Sequence, residues 1–374
     1  MAGEIQALYN KYQQKYPLYN KEKIVDIMLN DGVITFDVAK KIKSGKSLFL
    51  IDNEFKASSQ NDLSMTELMG GCFSTAKKPI TNFNKKIEPT KQPMTQGDCW
   101  LLSDINALSY TEFGRKAISD AIIPDKDGSG GVTIKFKGSP LKQKTIHINA
   151  SEIDKARKSG NYSSGDDDMI AFELATEKTF KEMVKQGLAE RAEDDEYIKQ
   201  MGGKYRSFIF AGIKTNKFDQ YPISELLGVK AQKIYVAKMR EHKTSNKDIE
   251  QMLINLSENK NNVSCWCAFS PVQSYGNKKN KNYIHGGHAY AIKTISKGKE
   301  VILTDPHYSD YEIKVPWKVF KELVIDITVS YKDQKTEQQF KSNALPKNYE
   351  QNLKKIDKEF ENNLKNFFKK MGIK

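Results

Sequence analysis

Apolar residues recur at helical spacing directly after Cys99. In the stretch "CWLLSDINALSY", positions 101, 102, 105 and 108 are apolar, and this spacing places them on one face of a helix. "DDDMIAFELATEKTFKEMVKQG" has a similar stripe, and its leading aspartates, Asp166 to Asp168, lie where the helix dipole is positive. "KDIEQMLINLSEN" is predicted to be a further helix. Each of these stretches is expected to bury one face against a core.

Other stretches have the alternation or the residue types of strands. "GGVTIKFKGSPLKQKTIHINAS" alternates on both sides of a Gly-Ser-Pro turn, which is typical of a β-hairpin. Further along the chain, "NVSCWCAFS", "HAYAIKTI" and "EVILTD" are rich in the residues that strands favour. Helices and strands together predict an α+β fold.

The length of the chain, 374 residues, exceeds what a single average core accommodates. Short helices and a polar link are predicted before Cys99, and an amphipathic helix is predicted at the C-terminus. The apolar face of that last helix would carry Leu353, Ile356, Phe360, Leu364, Phe367 and Met371. We expect an accessory region, a helical subdomain, a β-rich subdomain and a tail, at residues 1–85, 86–212, 213–330 and 331–374.

The formal net charge at pH 7 is strongly positive, at +13. The lysines are interspersed with acidic residues and do not form one basic block. Because a nucleic-acid footprint is expected to cluster on one face, this spread indicates a solvated surface and no nucleic-acid partner. The charge would still favour encounters with acidic partners at low salt.

The sequence predicts no transmembrane segment and no secretory signal. No apolar run approaches the length of a membrane span, and the opening "MAGEIQALYNKYQQKYP" lacks an apolar signal-peptide core. Four cysteines are too few for a disulfide framework in a chain of this length, which favours a reducing compartment. We expect a cytoplasmic protein, or one exported without a signal peptide. The tail helix leaves two alternatives, a docking helix or a weak membrane-surface contact.

Cys99 lies at the boundary between a polar loop and an apolar helix. A thiol at a helix start lies beside unsatisfied N–H groups and the positive end of the dipole, which together stabilise a thiolate. Nucleophilic catalysis needs that thiolate and a base within hydrogen-bond reach. Cys99 is therefore the candidate nucleophile. Cys265 and Cys267, two residues apart in a predicted strand, are expected to face a core.

His288 is the histidine best placed to be the base. It follows Gly286 and Gly287 and directly precedes a predicted strand, and the next predicted strand ends at Asp305. If the two strands form an antiparallel hairpin that turns within "SKGKE", Asp305 falls beside His288 to within a residue or two of register. A base and a carboxylate on neighbouring strands, with the nucleophile on a distant helix start, form the geometry of a Cys–His–carboxylate triad.

The stretches "QGDCWLLSDINALS" and "GGHAYAI", which contain these candidates, resemble segments of a known family. The first resembles the Gln-Gly-x-Cys-Trp run that opens the active-site helix of the calpain family of papain-like cysteine peptidases. The second resembles the family's Gly-His-Ala-Tyr strand. "AFELATEKTFKEM" is similar to a helix of the family, and "GGKYRSFIFAG" stands where a glycine-rich, substrate-facing stretch follows it. The likeness covers roughly residues 85 to 330 in the family's order.

This resemblance implies a papain-like fold with an active-site cleft between two subdomains. The helical subdomain would carry the nucleophile Cys99, and the β-rich subdomain would carry the general base His288 and the orienting residue Asp305. The side-chain amide of Gln96 would contribute to the oxyanion hole with the Cys99 N–H. By the same resemblance, Gly287 and Gly203 would border the bound substrate.

The segment "VILTDP" departs from the Arg-Asn-Pro-Trp-Gly segment of the family. Asp305 stands in place of the asparagine, and a carboxylate can also orient an imidazole. His307 stands in place of the tryptophan that shields this contact, which leaves the access of solvent to the contact open.

These residues predict an endopeptidase that hydrolyses protein substrates through a thioester acyl-enzyme. A transglutaminase or glutamine deamidase of the effector type is an alternative, since it attacks an amide with the same triad, and a binding module with a degenerate site is another. The triad requires no cofactor. Calcium stays open because Asp125, Asp127 and Asp166 to Asp168 form acidic clusters, although these lack ligand spacing. The chain is rich in lysine and asparagine, a composition that favours a bacterial origin.

Overall fold

The computed structural model of the chain describes residues 97–163, 167–192, 212–241, 246–269, 283–308 and 311–346, together with isolated positions that include Gln92. Several predictions fall on residues outside this part of the chain. They concern residues 1–85 as a region, Gln96, Gly203 and the apolar face from Leu353 to Met371, and they stay predictions.

The described ranges alternate between helices and strands. The α-helices are α1 (Cys99–Ser109), α2 (Glu112–Ala121), α3 (Ala150–Ser159), α4 (Asp167–Lys185), α5 (Ile223–Leu226), α6 (Val236–Glu241), α7 (Asn246–Glu258), α8 (Trp317–Leu323) and α9 (Gln334–Ala344). The strands of the first half are β1 (Ile122–Pro124), β2 (Val132–Lys135), β3 (Thr145–Ile148), β4 (Glu190–Arg191) and β5 (Ile213–Lys214). The later strands are β6 (Ala231–Ile234), β7 (Val263–Phe269), β8 (Ala289–Ser296), β9 (Glu300–Thr304), β10 (Glu312–Pro316) and β11 (Val324–Tyr331).

The strands form three antiparallel sheets. The largest has six strands in the order β10-β9-β8-β7-β11-β6, and smaller sheets contain β1-β2-β3 and β4-β5. The predicted hairpin is confirmed, since β2 pairs with β3 and Val132 lies opposite Ile148. The helices predicted from Cys99, over the "DDDMIAFEL" stretch and over "KDIEQMLINLSEN" are confirmed as α1, α4 and α7. Mixed helices and antiparallel strands agree with the expected α+β class.

The six-stranded sheet is buried on both faces, because alternate residues of its central strands enter two different cores. Trp266 of β7, with Ala289 and Ala291 of β8, belongs to the core that contains the buried face of α1. Cys265 and Cys267 of β7 belong to the other core, which also includes residues of α7 and α9. The expectation that these two cysteines face a core is confirmed. The sheet thus separates α1 from α7 and α9.

The helix α1 is held in place mainly through its buried side chains. Trp100 is stacked on Phe180 of α4, with ring centroids 5.9 Å apart and planes 12° from parallel. Asp104, one turn further along, accepts hydrogen bonds from the backbone N–H of Ser224 at 2.9 Å and from its hydroxyl at 3.1 Å. Stacking and hydrogen bonding on opposite ends of this turn fix the position of the helix start at Cys99.

Candidate active site

Cys99 is the first residue of α1, as the boundary between loop and helix predicted. The main-chain oxygen of Asp98 accepts the N–H groups of Leu101 at 3.0 Å and Leu102 at 3.1 Å, which closes the first turn. The N–H groups of the first helical residues have no acceptor within the helix. The Cys99 side chain is partly buried, so the thiol lies at the positive end of α1 without being enclosed in the core.

His288 directly precedes β8, and its main chain is tied to the end of β7. Gly287 donates its N–H to the Phe269 oxygen at 3.1 Å, and the Phe269 N–H donates to the His288 oxygen at 3.2 Å. Gly287 has a φ of +68°, a left-handed conformation in which a side chain would be strained. Its exposed main chain next to His288 is compatible with the substrate-bordering role that the resemblance implies.

The Cys99 thiol and the His288 imidazole lie within interaction range, and each shifts the pKa of the other. Burial raises the pKa of Cys99, but the positive His288, its hydrogen bond and the N–H of Ala289 outweigh burial and lower the pKa below the ordinary value. Burial lowers the pKa of His288, whereas the charges of Asp305 and Cys99 raise it to about 10. These directions favour a thiolate–imidazolium pair over the two neutral groups.

Asp305 is the third residue of the candidate triad. Its Oδ1 lies 2.9 Å from His288 Nε2 and accepts the His307 N–H at 2.8 Å. Because Nε2 faces the carboxylate, Nδ1 is the ring nitrogen left for the Cys99 sulfur. Burial raises the pKa of Asp305, but the charge and hydrogen bond of His288 lower it to about 2. Cys99, His288 and Asp305 are therefore brought together as the sequence predicted.

The route by which Asp305 reaches His288 differs from the expected hairpin register. Ala291 is paired with Thr304, and continuation of that register would put His288 opposite His307 and not opposite Asp305. Ser296 is paired with Glu300, so the turn is centred on Gly298, further along the chain than a His288–Asp305 pair requires. The irregularity between Ile292 and Thr294 moves the register by one residue back toward that pair. Asp305 reaches the imidazole diagonally, at the point where β9 ends and a short 3₁₀ turn, Pro306–Tyr308, begins.

His307 covers the His288–Asp305 contact. Its ring is stacked on that of His288, with centroids 4.8 Å apart and planes 5° from parallel. Its Nδ1 lies 3.2 Å from the main-chain oxygen of Gln92, and the Gln92 N–H donates to the Pro306 oxygen at 2.7 Å. Burial and the charge of His288 lower the pKa of His307 to about 4, so its ring is neutral near pH 7. The question of solvent access is answered, since the Asp305 side chain is only 4% exposed.

One further feature bears on metal binding. Among the described residues, His288, Asp305 and His307 form the one group with metal-ligand spacing, with candidate ligand atoms within 4.8 Å of one another. However, the two stacked rings direct their in-plane lone pairs side by side and not toward one point, and Asp305 already binds His288. The trio would have to rearrange before it could chelate an ion.

The acidic loop at residues 125–131 uses its side chains within a turn. Asp125 Oδ2 accepts the Ser129 hydroxyl at 3.0 Å and lies 2.9 Å from His147 Nε2. Asp127 Oδ1 accepts the Ser129 N–H at 2.9 Å. These contacts hold the loop as a turn, and calcium binding at the loop stays untested.

Cys265 and Cys267 do not take part in the site. Burial raises the pKa of both thiols, which makes them poor nucleophiles. Both belong to the core on the other face of the sheet. His285, the histidine that follows β7 in the described part of the chain, is exposed and does not join them. The histidine ring of His285 instead lies near His288, with centroids 6.4 Å apart.

Comparisons with known proteins do not assign the chain to a family. No protein-family model matches the chain, and no curated protein matches it either. Within the described residues, none of the helices combines the length and the apolar character that crossing a membrane requires.

Proposed function

We propose that the chain is a calpain-like cysteine endopeptidase with a papain-like catalytic core. The single observation that carries this proposal is the connected row from the Cys99 thiol through His288 to the buried Asp305 carboxylate. The thiol lies at a helix start and the other two residues lie on a sheet that packs against that helix. This distribution of the three groups over two structural layers supports the papain-like arrangement.

The reaction begins with attack of the Cys99 thiolate on a peptide carbonyl carbon. The His288 imidazolium gives its proton to the leaving amine, and a thioester acyl-enzyme results. Neutral His288 then takes a proton from water, which attacks the thioester and releases the acid and the thiolate. Asp305 orients the imidazole and stabilises its charged form throughout. The Cys99 N–H, with Gln96 as the predicted second donor, would stabilise the oxyanion.

A second candidate is a transglutaminase or glutamine deamidase. The observation that favours it is a carboxylate, Asp305, at the orienting position where the resembled peptidases have an amide. In these enzymes the acyl group comes from a glutamine side chain, and ammonia leaves in place of a peptide amine. The nucleophile, the base and the thioester are the same in both candidates.

Mass spectrometry of an unfolded protein mixture after incubation with the chain separates the two candidates. The peptidase gives new peptide N-termini, and the alternative gives glutamine residues that are deamidated or cross-linked to amines. Either product should disappear in Cys99→Ala and His288→Ala, with turnover reduced at least about a thousandfold. His147→Ala is the matched control, because His147 also pairs with an aspartate at 2.9 Å but is exposed. Products that persist in folded Cys99→Ala would contradict both candidates.

A further inference from the structure

Aromatic rings form a continuous row along the base side of the candidate site. Neighbouring centroids are 4.5 Å apart for Tyr283 and His285, 6.4 Å for His285 and His288, and 4.8 Å for His288 and His307. Tyr308 extends the row, with its centroid 6.4 Å from that of His307. The base is therefore flanked by aromatic rings on both sides.

The ends of this aromatic row are accessible to a ligand. Tyr308 is 48% exposed and is among the few large apolar side chains of the described residues that are so exposed. Its main-chain N–H donates to the Asp305 oxygen at 2.9 Å, so the turn that carries the catalytic carboxylate also positions the tyrosine. At the other end Tyr283 is partly exposed, and the next ring, His285, is exposed. The His285 N–H donates to the Tyr290 hydroxyl at 2.8 Å.

The chemistry of the leaving group indicates what this row contacts. His288 must come within hydrogen-bond distance of the leaving nitrogen in order to protonate it. The residue that carries this nitrogen, directly after the scissile bond, therefore lies against the groups next to His288. We propose that His307 and Tyr308, at one end of the row, select substrates with an aromatic side chain at that position. This inference rests on the proposed acyl-transfer function.

An aromatic side chain suits the row better than a charged one. The faces of the rings offer stacking and edge-to-face contacts to another ring. A lysine or arginine side chain would meet the positive charge that His288 carries while the leaving group is still attached. His307 contributes no charge near pH 7, because its pKa is lowered to about 4 by burial and by His288.

The inference can be tested by offering amines to the acyl-enzyme. Cys99 is acylated with a blocked-glycine p-nitrophenyl ester, and the release of p-nitrophenol reports acylation. The amine nitrogen bonds to the thioester carbon, the C–S bond breaks, and the amine proton passes to His288, which restores the thiolate–imidazolium pair. Phenylalaninamide, leucinamide, glycinamide and lysinamide compete with water in separate reactions. The ratio of amide to acid product measures how well each occupies the leaving-group side.

The row predicts that phenylalaninamide is captured about threefold to tenfold better than glycinamide after correction for the uncatalysed reaction. Tyr308→Ser should reduce this preference, and Tyr308→Phe should retain it. Ile123→Ser is the matched control, since Ile123 is 45% exposed on the three-stranded sheet. Equal capture of the amides, a preference for lysinamide, or a preference unchanged in Tyr308→Ser would overturn the inference alone. Failure of the ester to acylate Cys99 would overturn the proposed function, and the inference with it.

Discussion

The substitution Asp305→Asn separates the charge of the orienting residue from its hydrogen bonds. An amide oxygen at the position of Oδ1 can accept the same two donors, the imidazole of His288 at 2.9 Å and the His307 N–H at 2.8 Å. The side chains are nearly equal in volume, so the buried site keeps its packing. What changes is the negative charge beside the imidazole.

The loss of this charge should move the pH profile of activity toward acid. The Asp305 charge is the largest of the influences that raise the pKa of His288 to about 10. An opposite charge at hydrogen-bond distance shifts a pKa by about 1–3 units, so the alkaline limb should move down by about that amount. Asp305 also raises the pKa of Cys99, although it contributes least to that pKa, so the acid limb should move in the same direction by less.

The assay is the rate of Cys99 alkylation by a neutral epoxide between pH 3 and pH 11. A neutral epoxide needs no substrate specificity: the Cys99 thiolate attacks its carbon, the C–O bond breaks, and the His288 imidazolium protonates the oxygen that is released. The rate therefore falls at acid pH with loss of the thiolate and at alkaline pH with loss of the imidazolium proton. Wild-type and variant are compared at equal ionic strength, with circular dichroism at each pH to exclude unfolding. An alkaline limb that does not move in Asp305→Asn, or that moves toward alkali, would refute the role assigned to the carboxylate.

Three other outcomes are expected. Gly212→Ala should lower the free energy of unfolding in urea by about 1–3 kcal/mol. The reason is that φ is +77° at Gly212 and the added Cβ would lie 2.8 Å from the Trp100 ring. An unchanged midpoint of urea unfolding would contradict this packing. Thr111→Ala should lower the free energy of unfolding by about 1 kcal/mol, since the Thr111 hydroxyl caps α2 by accepting the Gly114 N–H at 3.1 Å. Thr111→Ser is the control, and it should retain most of the stability. A chelator should leave the alkylation rate of Cys99 unchanged, and restoration of a lost rate by calcium alone would contradict this.

The positions of the candidate nucleophile and the candidate base could be predicted because their signals are local. A polar loop that changes into an apolar stripe defines the start of α1 at Cys99, and two glycines before a strand mark His288. The spacing of Cys265 and Cys267, two residues apart in a predicted strand, also predicted that both would face a core. Such signals depend on residues close in sequence, which is why they could be read without the structure.

The detailed geometry around Asp305 could not be predicted in this way. The irregularity between Ile292 and Thr294 shifts the pairing of β8 and β9, and the sequence has no glycine or proline there to indicate it. The stacking of His307 on His288 follows from that register, so it was missed with it. The anchoring of the His307 ring by the main-chain oxygen of Gln92 joins residues 215 positions apart, and the side chain at position 92 gives no signal for it.

The measurement that tests the central claim most directly is the location and rate of a single covalent adduct. The native chain is treated near pH 7 with a substoichiometric peptidyl epoxide, and the labelled residue is identified by peptide mass mapping. The thiolate pair predicts labelling at Cys99, slowed at least about a hundredfold in His288→Ala, with the buried Cys265 and Cys267 unlabelled as internal controls. Labelling of Cys99 at the same rate in folded His288→Ala would contradict the account, because His288 would then have no effect on the reactivity of the thiol.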